Sequence, residues 1–190
     1  MMSNTLLESV VKKNRARLIP FMLALYVLAF LDRSNIGFAK ETYQLDTGLS
    51  NEAYALGAGI FFVVYAFLGV PANLLMRKFG ARRWIGCTTL LWGVLSAAMA
   101  WADTEAKFLL VRTLLGAAEA GFFPGMIYLT SQWFPQQNRA SIMGLFYMGA
   151  PLALTLGSPL SGALLEMHGL MGHPGWFWMF VIEGLLAVAA

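Results

Sequence analysis

Charged residues are scarce in this chain, 12% of 190, whereas 58% are hydrophobic; an ordinary soluble domain is about a quarter charged. A sequence so poor in charge cannot cover itself with polar surface in water. Cysteine is nearly missing as well. Cys87 stands alone inside an apolar run, which excludes a disulfide framework and a cysteine-based metal cluster, and it is expected as a small buried apolar residue. Only two histidines occur, His168 and His173, in a glycine-containing loop with no third ligand nearby, so no metal site is expected. The run Gly157-Ser-Pro-Leu-Ser-Gly162 lacks the spacing of a serine nucleophile and has no intramembrane histidine to activate it, so no enzyme is expected.

What the sequence has instead is long apolar runs. They fall at 18–38, 53–76, 84–102, 107–134, 140–166 and 176–190, and a span of hydrocarbon needs about 20 mostly apolar residues. Unpaired backbone is costly in lipid, so each run predicts a helix. Six helices follow, joined by short polar connectors at 40–52, 77–83, 103–105, 135–139 and 168–175. Residues 1–17 read as a basic tail and not as a secretory leader, because they are mostly polar and end on Lys12, Lys13, Arg15 and Arg17.

The net charge of +3 comes from short basic clusters flanking the apolar runs, which argues for topology and against a nucleic-acid partner. Nine lysines and arginines fall on the side of the tail, the second connector and Arg139, against Lys40 and Lys107 on the other. Basic residues favour the cytoplasmic side, so the N-terminus is expected in the cytoplasm. The sixth run holds fifteen residues, about 22 Å of helix against a hydrocarbon of about 30 Å, which reads as a truncated helix.

Ionisable residues inside such runs cost at least about 2.5 to 3.5 kcal/mol each and ask for a function. Asp32 and Arg33, with Ser34 and Asn35 beside them, lie in the first helix, and Arg112 and Glu119 in the fourth. A spacing of seven puts Arg112 and Glu119 on nearly one face. Each can pair with the acid or base of the first helix, giving two cations and two anions in one cavity. A guanidinium grips a carboxylate through a planar fork and stays charged. A buried carboxylic acid can take and release a proton. The structural alternative is a set of interhelical ion pairs that lock the bundle. Among the tyrosines inside helices, Tyr65 and Tyr147 are the cavity-wall candidates beside Arg33 and Asn35. The tryptophans are expected at helix ends, as an interfacial belt. Glu166 and Glu183 are expected to serve position and packing.

Several stretches carry a family resemblance: Leu31-Asp-Arg-Ser-Asn-Ile-Gly37, the run Pro71 to Trp84 with Arg77, Lys78, Gly80, Arg82 and Arg83, the segment Arg112 to Pro124, and Trp133-Phe-Pro-Gln-Gln-Asn-Arg-Ala140. In these the chain resembles the N-terminal six helices of the major facilitator superfamily, and within it the anion:cation symporters. The resemblance implies an all-α membrane protein: one six-helix domain over 18–190, built of two inverted three-helix repeats, from a twelve-helix carrier whose C-terminal half is absent. It implies a secondary transporter of the bacterial inner membrane that takes up an organic anion, a sugar acid such as rhamnonate, with protons as the coupling ion and no other cofactor. Arg33 then contacts the substrate carboxylate, Asp32 and Glu119 couple protons, Arg112 sets their charge balance, and Tyr65 lines the cavity. One departure concerns Arg77, which stands where the wider superfamily usually carries an aspartate. The rival readings are a non-transporting membrane receptor or assembly subunit, and an inactive fragment of the carrier.

Overall fold

The computed structural model describes residues 2–190, with side chains described from residue 8 onward. Among the described residues the chain is helical, without strands. The helices are α1 (Met2–Thr47), α2 (Asn51–Phe79), α3 (Ala81–Ala98), α4 (Glu105–Glu119), α5 (Phe122–Trp133), α6 (Gln136–Tyr147), α7 (Gly149–Leu165) and α8 (Gly175–Ala189). Five stretches are long and apolar enough to cross a membrane: Glu8–Thr47, Asn51–Phe79, Ala81–Trp101, Glu105–Trp133 and Gln136–Leu165. The sixth, α8, is a shorter apolar helix.

Helix ends overrun the polar connectors expected from sequence. Residues 2–17 continue α1, and α1 runs on to Thr47, because polar and charged residues prolong a helix freely once it leaves the apolar region. The second connector shrinks to Gly80. Its φ of 85° is a conformation only glycine adopts without strain, and its N–H closes α2 on the Met76 carbonyl at 2.8 Å. Ser50 opens α2 by accepting from the Ala53 amide at 3.0 Å, an N-cap that satisfies one orphan donor.

Two expected helices are each broken in two. The fourth run turns at Ala120–Gly121 between α4 and α5, and the fifth at Met148 between α6 and α7. Pro124 and Pro151 follow the breaks within the first turn of the next helix, where a missing N–H deprives the helix of nothing.

The bundle interleaves its two halves. The first span packs on the fifth, the second on the fourth, the third on the sixth, and the first and fourth touch the sixth and third. Exchanging spans one to three with four to six maps every one of these contacts onto another, as an inverted repeat requires. Glycines allow the closest crossings. A Cβ at Gly184 of α8 would stand 2.4 Å from the Ala97 nitrogen and 2.7 Å from the Gly93 carbonyl oxygen. A Cβ at Gly116 of α4 would stand 2.5 Å from the Phe61 carbonyl oxygen of α2.

The core is in two apolar layers. One contains Met22, Leu25, Met76, Trp92, Met126 and Phe146, and the other Tyr43, Tyr54, Met99, Phe108, Trp176 and Phe180. Trp92 is therefore a core residue in mid-helix, unlike the belt position expected of it. Cys87 also departs from expectation, since it is exposed on the outer face of α3. Leucines, valines and phenylalanines such as Phe62, Phe67, Val70, Leu91, Leu110 and Leu154 cover the outside, which suits hydrocarbon.

Candidate functional site

Between the two apolar layers lies a polar layer drawn from several helices. It takes Asp32, Arg33 and Asn35 from α1, Ser96 from α3, Arg112 and Glu119 from α4, and Glu183 from α8. Asp32, Asn35, Ser96, Arg112, Glu119 and Glu183 are all buried. The level is set by sequence position within each helix, where a polar residue interrupts an apolar stripe; only the assembled bundle brings the levels into register.

Arg33 and Glu119 form the ion pair at its centre. The Arg33 Nε donates to Glu119 Oε2 at 2.9 Å, and Nη2 stands 2.8 Å from the same oxygen. Both nitrogens therefore converge on one carboxylate oxygen, while the buried Oε1 has no hydrogen-bond partner. Glu119 is fully enclosed, but the Arg33 side chain keeps 16% of its surface open. Its guanidinium lies over the Tyr65 ring at 4.7 Å, a cation–π contact that steadies the group without using its donors.

Arg112 is buried and pairs with no carboxylate. Its Nε donates to the Gly57 carbonyl at 3.2 Å, and its guanidinium sits 4.6 Å over the Phe61 ring. The same ring lies 5.8 Å below Arg33, so Phe61 separates the two cations. Asp32 accepts a hydrogen bond from the Ser96 hydroxyl, and its Oδ2 is unpartnered.

Asn35 departs from the Arg33 face. It is fully buried, and its Nδ2 donates to Glu183 Oε2 at 2.6 Å. Tyr147 is half exposed beside Phe123, with ring centroids 5.8 Å apart. The structure thus gathers Asp32, Arg33, Arg112, Glu119 and Tyr65, puts Tyr147 at the edge, and turns Asn35 towards α8. The sequence reading assigned Glu183 to position and packing and passed over Ser96 and Phe61. For Glu183 the signal was available: one acid in the middle of an apolar fifteen-residue helix.

From Tyr65 a groove of about 340 Å³ runs along α2 and α5 past Asn73 and Phe123 to Arg77. Twelve residues of α2 separate its ends, about 18 Å of helix. It links the Arg33 face to the end of the bundle that carries Arg77, Lys78, Arg82 and Arg83. At the opposite end Asp46 and Asp103 share a separate cavity with His168 and His173. Among the described residues no three such side chains converge as a metal site would need.

Comparison with known proteins agrees with this architecture. A profile described as Major Facilitator Superfamily matches residues 22–190. The inner membrane transport protein RhmT of Escherichia coli (strain K12) is 92% identical over 189 residues, a match covering 100% of this chain and 44% of that protein. A protein of Agrobacterium vitis provisionally named for tartrate transport is 50% identical, over 98% of this chain and 41% of its own length. A quinolone resistance transporter of Acinetobacter baumannii is 45% identical, over 95% and 42%. The chain thus spans less than half the length of these relatives. Among solved structures, a bacterial homolog of the human lysosomal transporter Spinster, in an inward-facing and unoccupied conformation, superposes with a TM-score of 0.86 at 21% identity. That match covers 92% of this chain and 41% of the other, and it bears on the fold alone. These relatives are named as transporters, and transporters of this superfamily are not enzymes.

Proposed function

This chain belongs to the Major Facilitator Superfamily, and from that premise we propose that it forms the N-terminal half of a proton-coupled importer of an organic anion, a sugar acid such as rhamnonate. The carrier works in the bacterial inner membrane with the N-terminus in the cytoplasm, in keeping with the nine basic residues gathered on one side. A second six-helix half closes the site, and alternating access moves the anion past it.

The observation that carries this reading is the one-oxygen grip of Glu119 on Arg33. A guanidinium presents five donors in a rigid fork; here Nε bonds Glu119 Oε2, while Nη2 touches the same oxygen at 2.8 Å without a hydrogen bond and is left to be satisfied. A proton arriving on Glu119 cancels its attraction and frees the fork for a substrate carboxylate. Asp32 takes a proton in the same layer, Arg112 holds the charge balance, and Tyr65 and Tyr147 form the wall. Release follows when the acids deprotonate and Glu119 reclaims Arg33. The tartrate name of one relative supports a carboxylate cargo.

The test is uptake of labelled rhamnonate by the full-length protein in proteoliposomes, with and without an inward proton gradient. Gradient-driven accumulation is expected. Accumulation that ignores the gradient overturns the coupling, and no uptake of any sugar acid overturns the substrate class.

A further inference from the structure

The buried polar layer contains three acids, Asp32, Glu119 and Glu183, and only two cations, Arg33 and Arg112. Arg33 is engaged by Glu119, and Arg112 donates to the Gly57 carbonyl and pairs with no carboxylate. Among the described residues neither Asp32 nor Glu183 forms an ion pair; Asp32 has Arg33 beside it in α1, whereas Glu183 has no basic residue in its helix.

Its surroundings are defined on every side. The described elements packed on α8 are α1, α3, α7 and the turn Met99–Trp101. From α1 come Asn35, which donates to Oε2 at 2.6 Å, and Asp32, three residues before it on the same helix. From α7 comes Ser161, fully buried, its hydroxyl unpartnered. From α3 the nearby polar group is Ser96, already committed to Asp32. The remaining oxygen of Glu183, Oε1, is buried and unpartnered. An ionised carboxylate in that position has no counter-ion and one free lone-pair face in an apolar interior, which is a strongly unfavourable state. The neutral acid removes the charge and turns one of its oxygens into a hydrogen-bond donor.

We infer that Glu183 is a further proton-binding site of the carrier, set on the α8 side of the polar layer, away from the anion. The inference rests on the Arg33 reading above for its consequence and on the packing of α8 for its location. With three acids and two cations, the empty layer is neutral with one proton bound, and that proton sits on Glu183. When a monoanion joins Arg33, neutrality needs a second proton, taken by Asp32 or Glu119. At alkaline pH the empty layer loses its resident proton, becomes negative and repels the anion. Binding of the anion to the fully deprotonated layer therefore draws in two protons, and with Gln at position 183 it draws in one.

Two measurements on the full-length protein test this. The first is the infrared carbonyl band of protonated carboxylic acids in the substrate-free protein at neutral pH. A band lost in Glu183→Gln supports the site, and an unchanged spectrum overturns it. Asn35→Ala removes the hydrogen bond and should move the band without abolishing it; should Glu183→Gln fail to insert, a band that stays in place in Asn35→Ala overturns the assignment. The second is rhamnonate affinity along the alkaline limb. It is expected to fall by about a hundredfold per pH unit in the wild type and about tenfold in Glu183→Gln, so that the variant binds better at high pH. A merely structural Glu183 would weaken binding evenly at all pH, and equal slopes overturn the proposal. If the wild type binds no rhamnonate, the substrate reading fails while the infrared result still decides the site.

Discussion

The Nε of Arg33 and the Oε2 of Glu119 meet at 2.9 Å across two helices, α1 and α4, that an inverted repeat makes counterparts. The pair joins an enclosed acid to a base whose side chain keeps 16% of its surface open. An ion pair serving stability alone would have no need of that opening. The geometry suits a latch that exchanges one carboxylate for another.

Arg33→Lys should discriminate binding from scaffolding. An ammonium keeps the charge but loses the planar fork, and a charge-assisted hydrogen bond is worth about 1.5 to 3 kcal/mol. Transport by the full-length protein should fall by about ten- to a hundredfold, with normal membrane levels. Normal transport accompanied by a lower melting temperature would return Arg33 to a structural role.

Glu119→Gln mimics the protonated acid. The variant should exchange internal for external rhamnonate, because exchange needs no net proton movement, yet it should fail to accumulate rhamnonate on a pH gradient. Removing one partner of a buried pair costs about 3 to 5 kcal/mol, so a lower melting temperature is also expected. Gradient-driven accumulation at the wild-type level would contradict the coupling role.

Gly184→Ala should destabilise the bundle, because its Cβ would meet backbone atoms of Ala97 and Gly93 that cannot swing aside. Overpacking of this kind costs about 1 to 3 kcal/mol. Gly162→Ala, where nothing lies within 4 Å, should be neutral or stabilising, since alanine is the better helix former by up to about 1 kcal/mol. Thermal denaturation in detergent compares the two.

Asp103 offers a control for pH effects. The hydrogen bond from the Lys107 ammonium holds its carboxyl below the usual aspartate range. A depressed folded-state pKa contributes stability above the unfolded value and loses it as pH falls through the folded one. The pair is exposed, with 55% and 64% of the two side chains open, so solvent screens it. Asp103→Asn should leave the melting temperature and the pH profile of transport unchanged; a shifted profile would place Asp103 on the proton path.

Local sequence carried much of the result. The apolar runs marked the spans, since hydrocarbon thickness and helical rise set their length without reference to neighbours. The isolated charges at Asp32, Arg33, Arg112 and Glu119 marked the polar layer, since each breaks an apolar stripe wherever it packs. Helix ends were misread, as at Gly80 and Thr47, because hydropathy reports where lipid stops and not where hydrogen bonding does.

Pairing was decided by the fold alone. Arg33 chose Glu119 over Asp32, its neighbour in sequence, because adjacent residues point away from each other around a helix while α1 and α4 face across the bundle. Asn35 turned to Glu183, 148 residues on, because α8 is pressed into the core by the contact of Gly184 with α3. One-dimensional pattern determined which residues are buried with charge and at what depth. Only the close packing of several helices determined that three acids share a layer with two cations, and that the acid on α8 meets Asn35 and forms no ion pair.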